Sequence, residues 1–186
     1  MFHPVDSIPA LQMLENAWRD IRDEMEALTE AHFRRWPEQD LYSGSWDVFG
    51  LLEFGHPNEI KRRLCPRTAA CLDAVPRLVT AGFSAMAPGT HIRPHVGYTT
   101  DVLRAHLGLV STPECALRVG DTVRSWEEGR CLLFDDTVEH EAWNRGSITR
   151  VVLLMDIARE GVKNVAYPEH VLRFAAAQKG QSGLSA

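Results

Sequence analysis

The sequence predicts a mostly β protein with helices at its N-terminus and a closed, barrel-like arrangement of short strands behind them. Three observations carry this expectation. Residues 9–36 repeat apolar side chains at three- and four-residue steps, the helical period. From residue 103 onward, short runs of branched and aromatic residues alternate with turn signals about every eight to twelve positions, as in sandwiches and barrels. The 186 residues suffice for one well-buried core and are too few for two. The expected division is a single domain over 1–186. Residues 1–45 form its helical part, 46–157 its β core, and 158–186 a C-terminal helix and tail.

In the first segment Leu11, Leu14, Trp18, Ile21, Met25 and Leu28 make one apolar stripe, which predicts packing against a sheet. Asp6 or Ser7 is placed to cap this helix, and Pro37 ends it. Gly44 and Ser45 form a turn before a strand over 46–54, rich in aromatic and aliphatic residues. Residues 65–79 suit a short helix broken near Pro76. A strand follows over 81–86 and closes at the Pro88–Gly89 turn. Further strands are expected at 103–110, 116–119, 122–125, 130–134 and 150–157. Gly120–Asp121 marks a hairpin between two of them, and residues 127–129 mark the next turn. The last helix is expected over 168–178, followed by a frayed tail.

The formal net charge of −5 and a pI near 5.9 argue against nucleic acid as a partner, since phosphate binding needs a basic face. The four cysteines form no CxxC pair and read as reduced thiols. No leader-like segment opens the chain, and no stretch approaches the ~20 apolar residues of a membrane span. These features predict a cytoplasmic protein without a membrane partner.

The residues that bear chemistry lie between 88 and 156. His95 and His140 sit in different segments, each beside turn residues, and Arg150 opens an otherwise apolar strand. Histidines from separate strands together with a buried cation suggest a metal site that also holds an anion. On spacing alone, the same histidines read equally as unrelated polar residues in turns. His91 and His95 are four apart, but Pro94 between them argues against a helical ligand pair, leaving His91 a supporting role. Arg104 and His106 share one face of a strand whose other face is leucine-rich, so that face is either a site or a solvent face. Arg150 either snorkels to water or grips a carboxylate with its planar fork. Trp126, Trp143 and Phe134 read as core; Asp135 and Asp136 read as turn formers, with cupin-like metal ligation by one of them as the minority reading. Gly97 stands where an ordinary non-haem iron site has a carboxylate, two residues after the first histidine.

Four motifs, PGTHIRPHVG (88–97), LRAHLGLV (103–110), RVGDTVRSWEEGRCLLFDDTVEHEAWN (118–144) and RVVLLMDI (150–157), occur in one order and spacing. In these motifs the chain resembles the aspartyl/asparaginyl β-hydroxylase family of iron(II)- and 2-oxoglutarate-dependent oxygenases, over roughly residues 46–157. The resemblance implies a double-stranded β-helix, of the jelly-roll or cupin kind, with His95 and His140 as the two metal ligands. It implies Fe(II), 2-oxoglutarate as co-substrate, and dioxygen. Arg150, helped by Ser84, falls at the anchor for the distal carboxylate of 2-oxoglutarate. His106 falls at the contact to its C1 carboxylate, and Arg104 at a contact to co-substrate or substrate. The missing carboxylate at Gly97 is shared with the family. The implied reaction is hydroxylation of an unactivated carbon, foremost the β-carbon of an Asp- or Asn-like amino acid that is free, carrier-bound or peptide-borne. Some members hydroxylate acyl chains of membrane lipids, a second implied substrate. Two further readings remain: a halogenase, with chloride in the space at Gly97, and a non-catalytic cupin-type protein that binds a metal or a carboxylate.

Overall fold

The structure, a computed structural model, describes residues 1–169 together with 171 and 172. Thirteen strands and four α-helices account for most of them. The strands are β1 (Phe2–His3), β2 (Arg34–Arg35), β3 (Tyr42–Ser43), β4 (Trp46–Glu53), β5 (His56–Pro57), β6 (Leu78–Met86), β7 (His91–His95), β8 (Val102–Val110), β9 (Cys115–Val119), β10 (Thr122–Ser125), β11 (Cys131–Phe134), β12 (His140–Asn144) and β13 (Arg150–Ala158). The helices are α1 (Ala10–Asn16), α2 (Trp18–Glu26), α3 (Glu59–Leu64) and α4 (Pro66–Asp73).

The strands build two antiparallel sheets. The larger runs β1-β11-β8-β13-β6-β4-β2, with β5 paired to β4, and the smaller runs β10-β9-β12-β7-β3. This is the expected jelly-roll, a double-stranded β-helix. Each sheet interleaves strands distant in sequence, so residues far apart along the chain come to face one another between the sheets.

Strand alternation sorts the larger sheet into two faces. Phe49, Leu51, Phe83, Leu107, Leu109, Leu153 and Met155 point to the helices and form one core with Leu11, Leu14 and Ile21. Trp46, Met86, Val152, Leu117, Trp126 and Phe134 fill the space between the sheets. Arg104, His106, Ser84, Arg150 and Asp156 share strand parity with this second set. One side of the sheet is thus greasy support for helices, and the other carries the polar chemistry.

The N-terminal stripe is helical, but not as one helix to residue 36. It breaks at Ala17 and stops at Glu26. Thr29 then starts a separate turn, its side chain bonding His32, and Arg34–Arg35 pair with Val48 and Asp47 at a sheet edge. The N-terminal part also supplies three edge strands, β1, β2 and β3. Neither Asp6 nor Ser7 caps α1: Pro9 precedes it without a side-chain cap, and the Ser7 hydroxyl donates to Pro4. The helix expected at 65–79 ends at Asp73, before Pro76. Helix α3 was not anticipated; Asn58 caps it by accepting from the Lys61 amide.

Glu24 ties α2 to α4. Its buried carboxylate accepts from the amides of Arg67 and Thr68, each at 2.8 Å, and from the Thr68 hydroxyl at 2.7 Å. Burial opposes ionisation, but these bonds outweigh it and hold the Glu24 pKa below its ordinary value. All four cysteines are free thiols. No helix among the described residues is long and apolar enough to cross a membrane. Most of the helix expected at 168–178, and the tail, lie outside the described residues.

Candidate active site

His95 and His140 lie in strands, not turns, and directly opposite each other. The last residue of β7 pairs with the first of β12 in the smaller sheet. Their rings stand 4.1 Å apart, centroid to centroid. A register shift follows at once between His140 and Ala142, the kind of irregularity that re-aims a side chain. Each ring is held the same way: His95 Nδ1 lies 2.7 Å from the Arg93 carbonyl, and His140 Nδ1 lies 3.0 Å from the Val138 carbonyl. A carbonyl only accepts, so Nδ1 carries the proton and Nε2 keeps its lone pair. Burial lowers both pKa values, that of His140 to about 3, with the neighbouring ring adding to the effect. Two neutral imidazoles with free Nε2 lone pairs are what a divalent transition metal requires of a histidine pair. Among the described residues, no group of three His, Cys, Asp or Glu side chains gathers to hold a metal.

Behind the pair lies a set of buried polar groups joined through two rings. Phe134 packs against both His140 and His106, with centroids 5.7 and 5.1 Å away. The Trp126 indole donates to His106 Nδ1 at 3.3 Å, and the same ring lies 4.5 Å under the Arg150 guanidinium. Because indole is only a donor, His106 must carry its proton on Nε2. That N–H is buried and has no partner. Burial, then Arg150 and Arg104, keep His106 neutral.

Arg150 is 1% exposed. Its Nη1 donates to the Ser84 carbonyl at 3.2 Å, while Nε has no partner. Burial pulls its pKa down to about 9. No carboxylate of the described residues pairs with it, so an enclosed positive charge waits beside an unpaired N–H. The Ser84 hydroxyl accepts from Trp46 Nε1 at 2.9 Å and keeps its own proton to donate. An anion with two ends is the complement of such a set.

Arg104 lies at the cavity and is gripped by two acids. Asp156 takes Nε and Nη2, at 2.7 and 3.1 Å, and Asp136 adds a contact to Nη2 at 3.2 Å. Burial works against the charge, but the two carboxylates more than restore it and raise the Arg104 pKa. Only Nη1 is left for a ligand.

Asp136 is more than a turn former. It is 1% exposed, with Oδ1 unpartnered, and burial raises its pKa against the pull of Arg104. Its carbonyl accepts from the Gly97 amide at 2.7 Å. A Cβ on Gly97 would lie 2.2 Å from Asp136 Oδ2, so any side chain there must push that carboxylate aside. Asp135, by contrast, does shape the turn, accepting from Thr137, and it pairs with Arg159 at 2.6 Å. Trp126 and Phe134 are core residues that also seat the site. Trp143 is half-buried beneath Arg145, not in the core. His91 bonds Glu141 at 2.7 Å, a supporting role as expected.

A cavity of about 170 Å³ opens onto this region. It reaches His95, Ser84, Gly97 and Arg104, while His140, His106 and Arg150 lie deeper. Thr80 and Tyr167 also line it, with buried hydroxyls that act on each other. The six residues singled out from sequence thus gather in one place. Those missed were Asp136, Asp156, Trp126, Thr80 and Tyr167. Asp156 alone left a signal, an acid inside an apolar strand at even spacing from Arg150.

The family model described as aspartyl/asparaginyl β-hydroxylase matches residues 15–160. The chain belongs to this family. The match begins well before residue 46, so it includes helix α2. Among curated members of the family's kind, an ornithine lipid ester-linked acyl 2-hydroxylase of Rhizobium tropici is 46% identical over 118 residues, covering 61% of this chain and 42% of that protein. The human aspartyl/asparaginyl β-hydroxylase is 37% identical over 158 residues, 79% of this chain and 21% of that protein. The chain therefore spans less than half the length of either relative. A solved oxidoreductase of the 2OG-Fe(II) oxygenase family from Burkholderia pseudomallei shares the fold at a TM-score of 0.54 and 12% identity, covering 81% of each chain.

Proposed function

We propose that this β-hydroxylase family member is an iron(II)- and 2-oxoglutarate-dependent dioxygenase. It hydroxylates an unactivated carbon, foremost the β-carbon of an Asp- or Asn-like amino acid, free, carrier-bound or peptide-borne. One observation carries the reading. The facing pair His95 and His140, neutral and with Nε2 lone pairs, stands with an enclosed Arg150 whose charge no carboxylate of the described residues balances. Iron(II), bound by the two histidines together with 2-oxoglutarate and dioxygen, would supply the oxidation that places hydroxyl on carbon, with succinate and carbon dioxide leaving.

The chain's own residues have definite tasks in this reading. Arg150 and the Ser84 hydroxyl hold the distal carboxylate, and the unpaired Nε2–H of His106 donates to the carboxylate beside the keto group. Trp126 fixes both partners, one by its face and one by its N–H. Asp156 and Asp136 hold Arg104 so that only Nη1 meets ligand. Phe134 and Trp126 keep water from the buried end, which strengthens each of these interactions. The space at Gly97 is filled by the Asp136 carboxylate, which speaks against chloride there and so against halogenation.

A second substrate reading is an acyl chain. The largely apolar cavity wall favours it, and so does the similarity to a protein named as an acyl 2-hydroxylase. The first experiment adds iron(II) and 2-oxoglutarate anaerobically to wild type, His140→Ala and Arg150→Ala, and records visible absorption. A charge-transfer band in the wild type is expected, lost in His140→Ala and weakened in Arg150→Ala. Succinate release in air then screens aspartate, Asp-containing peptides and acyl compounds. Folded, iron-loaded protein that shows no band would overturn the reading in favour of a non-catalytic binding protein.

A further inference from the structure

The family match stops at residue 160, yet the chain returns to the cavity beyond it. Tyr167 and Val171 both line the cavity, alongside Thr80, Arg104, Asp156 and His95. Tyr167 is held from two sides. Its ring packs edge-on against Phe54, centroids 4.7 Å apart, and the amide of the preceding Ala166 donates to Asp101 Oδ2 at 2.9 Å. Phe54 meets it from a left-handed backbone, φ 51°, a conformation that a bulky residue keeps only where its surroundings demand it. The phenol is therefore firmly placed.

The Tyr167 hydroxyl lies beside Thr80 of β6, and the charges of Asp156, Arg104 and Asp136 all act on it. Both hydroxyl oxygens are closed off from solvent. Two hydroxyls that bond each other bring two protons to one link, so one O–H is left over whichever of them donates. Among the described residues nothing accepts that proton. Arg104 stands in a similar position, with Nη1 the one arm of its fork that Asp156 and Asp136 leave open. Two donors thus line one cavity without an acceptor, and a buried donor left unpaired is costly until an acceptor arrives.

We propose that Tyr167, together with Thr80, is a substrate contact: the leftover O–H and Arg104 Nη1 receive an oxygen-bearing end of the substrate, a carboxamide or a carboxylate. A hydrocarbon end would leave both donors unpaired, so the pair selects against a substrate that is purely aliphatic there. Tyr167 follows the matched residues, so family membership does not imply this contact. The selection itself needs only the cavity. That a carbon beside the oxygen-bearing group is hydroxylated rests on the oxygenase reading above.

Asparagine and aspartate test this against leucine, which matches asparagine in shape and lacks its polar atoms. Each is titrated calorimetrically, as the free amino acid and as its N-acetyl N-methylamide, in the presence of manganese(II) and 2-oxoglutarate. The proteins are wild type, Tyr167→Phe and the double variant Tyr167→Phe with Thr80→Val, each first shown to be folded by its thermal midpoint. Wild type should bind asparagine or aspartate, in one of the two forms, about tenfold more tightly than leucine or better. The preference should fall about threefold in Tyr167→Phe, where Thr80 keeps a proton in a less direct place, and about tenfold in the double variant. Wild type that takes leucine as well as asparagine and aspartate overturns the proposal, and so does a preference undiminished in the folded variants. The charge-transfer band keeps the two readings apart. A band with no such preference sinks the contact alone. The preference without a band keeps the contact and sinks the oxygenase.

Discussion

Removing the positive charge of Arg150 should stabilise the ligand-free protein, contrary to the usual effect of truncating a fully buried side chain. Burial takes the Arg150 pKa from an ordinary 12.5 to about 9. That corresponds to a penalty of about 5 kcal/mol on the charged form. The Trp126 face returns about 2 kcal/mol. The hydrogen bond to the Ser84 carbonyl returns about 1 kcal/mol. Roughly 2 kcal/mol of net cost remains, within the range by which apolar replacement of buried charge stabilises other proteins. Arg150→Met fills similar volume, so its thermal midpoint should rise by about 6 °C in a chain of this size. Since the folded pKa lies below the unfolded one, the cost is fully present below about pH 9 and is relieved only as pH rises above that value. The wild type should gain stability from 2-oxoglutarate with manganese(II) as RT ln(1 + [L]/Kd), and the variant should gain almost none. The assay is thermal unfolding of both proteins with and without that pair. A ligand-free Arg150→Met that is destabilised by 2 kcal/mol or more would refute the reasoning, because Arg150 would then be a structural partner and not a waiting cation.

Two further substitutions probe the frame around the site. Glu24→Gln should cost about 3 kcal/mol, because an amide cannot accept all the bonds from Arg67 and Thr68 and turns a donor toward donors. Its folded pKa is lowered, so this stability is present above the unfolded value near 4.5 and is lost as pH falls below it; acid unfolding of wild type and variant should converge there. Asp156→Asn leaves Arg104 with Asp136 alone and should cost about 3 kcal/mol, read as a lower urea midpoint at unchanged slope. An unchanged midpoint would mean that Asp136 suffices to balance Arg104.

Much of the fold could be read from periodicity. Strands β8, β10, β11 and β13 fell within a residue or two of their limits because they are short runs of branched, apolar or aromatic residues bounded by turn residues such as Gly120 and Gly129. Strands β7 and β12 were hidden. Both are five residues long, β7 contains Pro94 and β12 carries a register shift, so neither shows a clean period of two. That also hid the decisive fact that His95 and His140 face each other, which is a matter of pairing between strands 45 residues apart. The one long helix foreseen at the N-terminus broke at Ala17 and stopped at Glu26, and Thr29 then turned the chain through its bonds with His32. Asp136 was read foremost as a turn former, since an aspartate before a threonine looks like a turn wherever it lies; its burial beside Arg104 was not foreseen.

The close approach of Gly97 to Asp136 bears on how such a site can change by descent or design. An acid added at position 97 to build a three-ligand site would have to push the Asp136 carboxylate aside. Any side chain there runs into a carboxylate already in place, and displacing that carboxylate releases one of the two acids that hold Arg104. Positions 97 and 136 therefore form a single heritable unit. A lineage crossing from two protein ligands to three must move its carboxylate from one strand connection to another in a coordinated pair of substitutions, and each intermediate with only one change carries either two acids in one space or none.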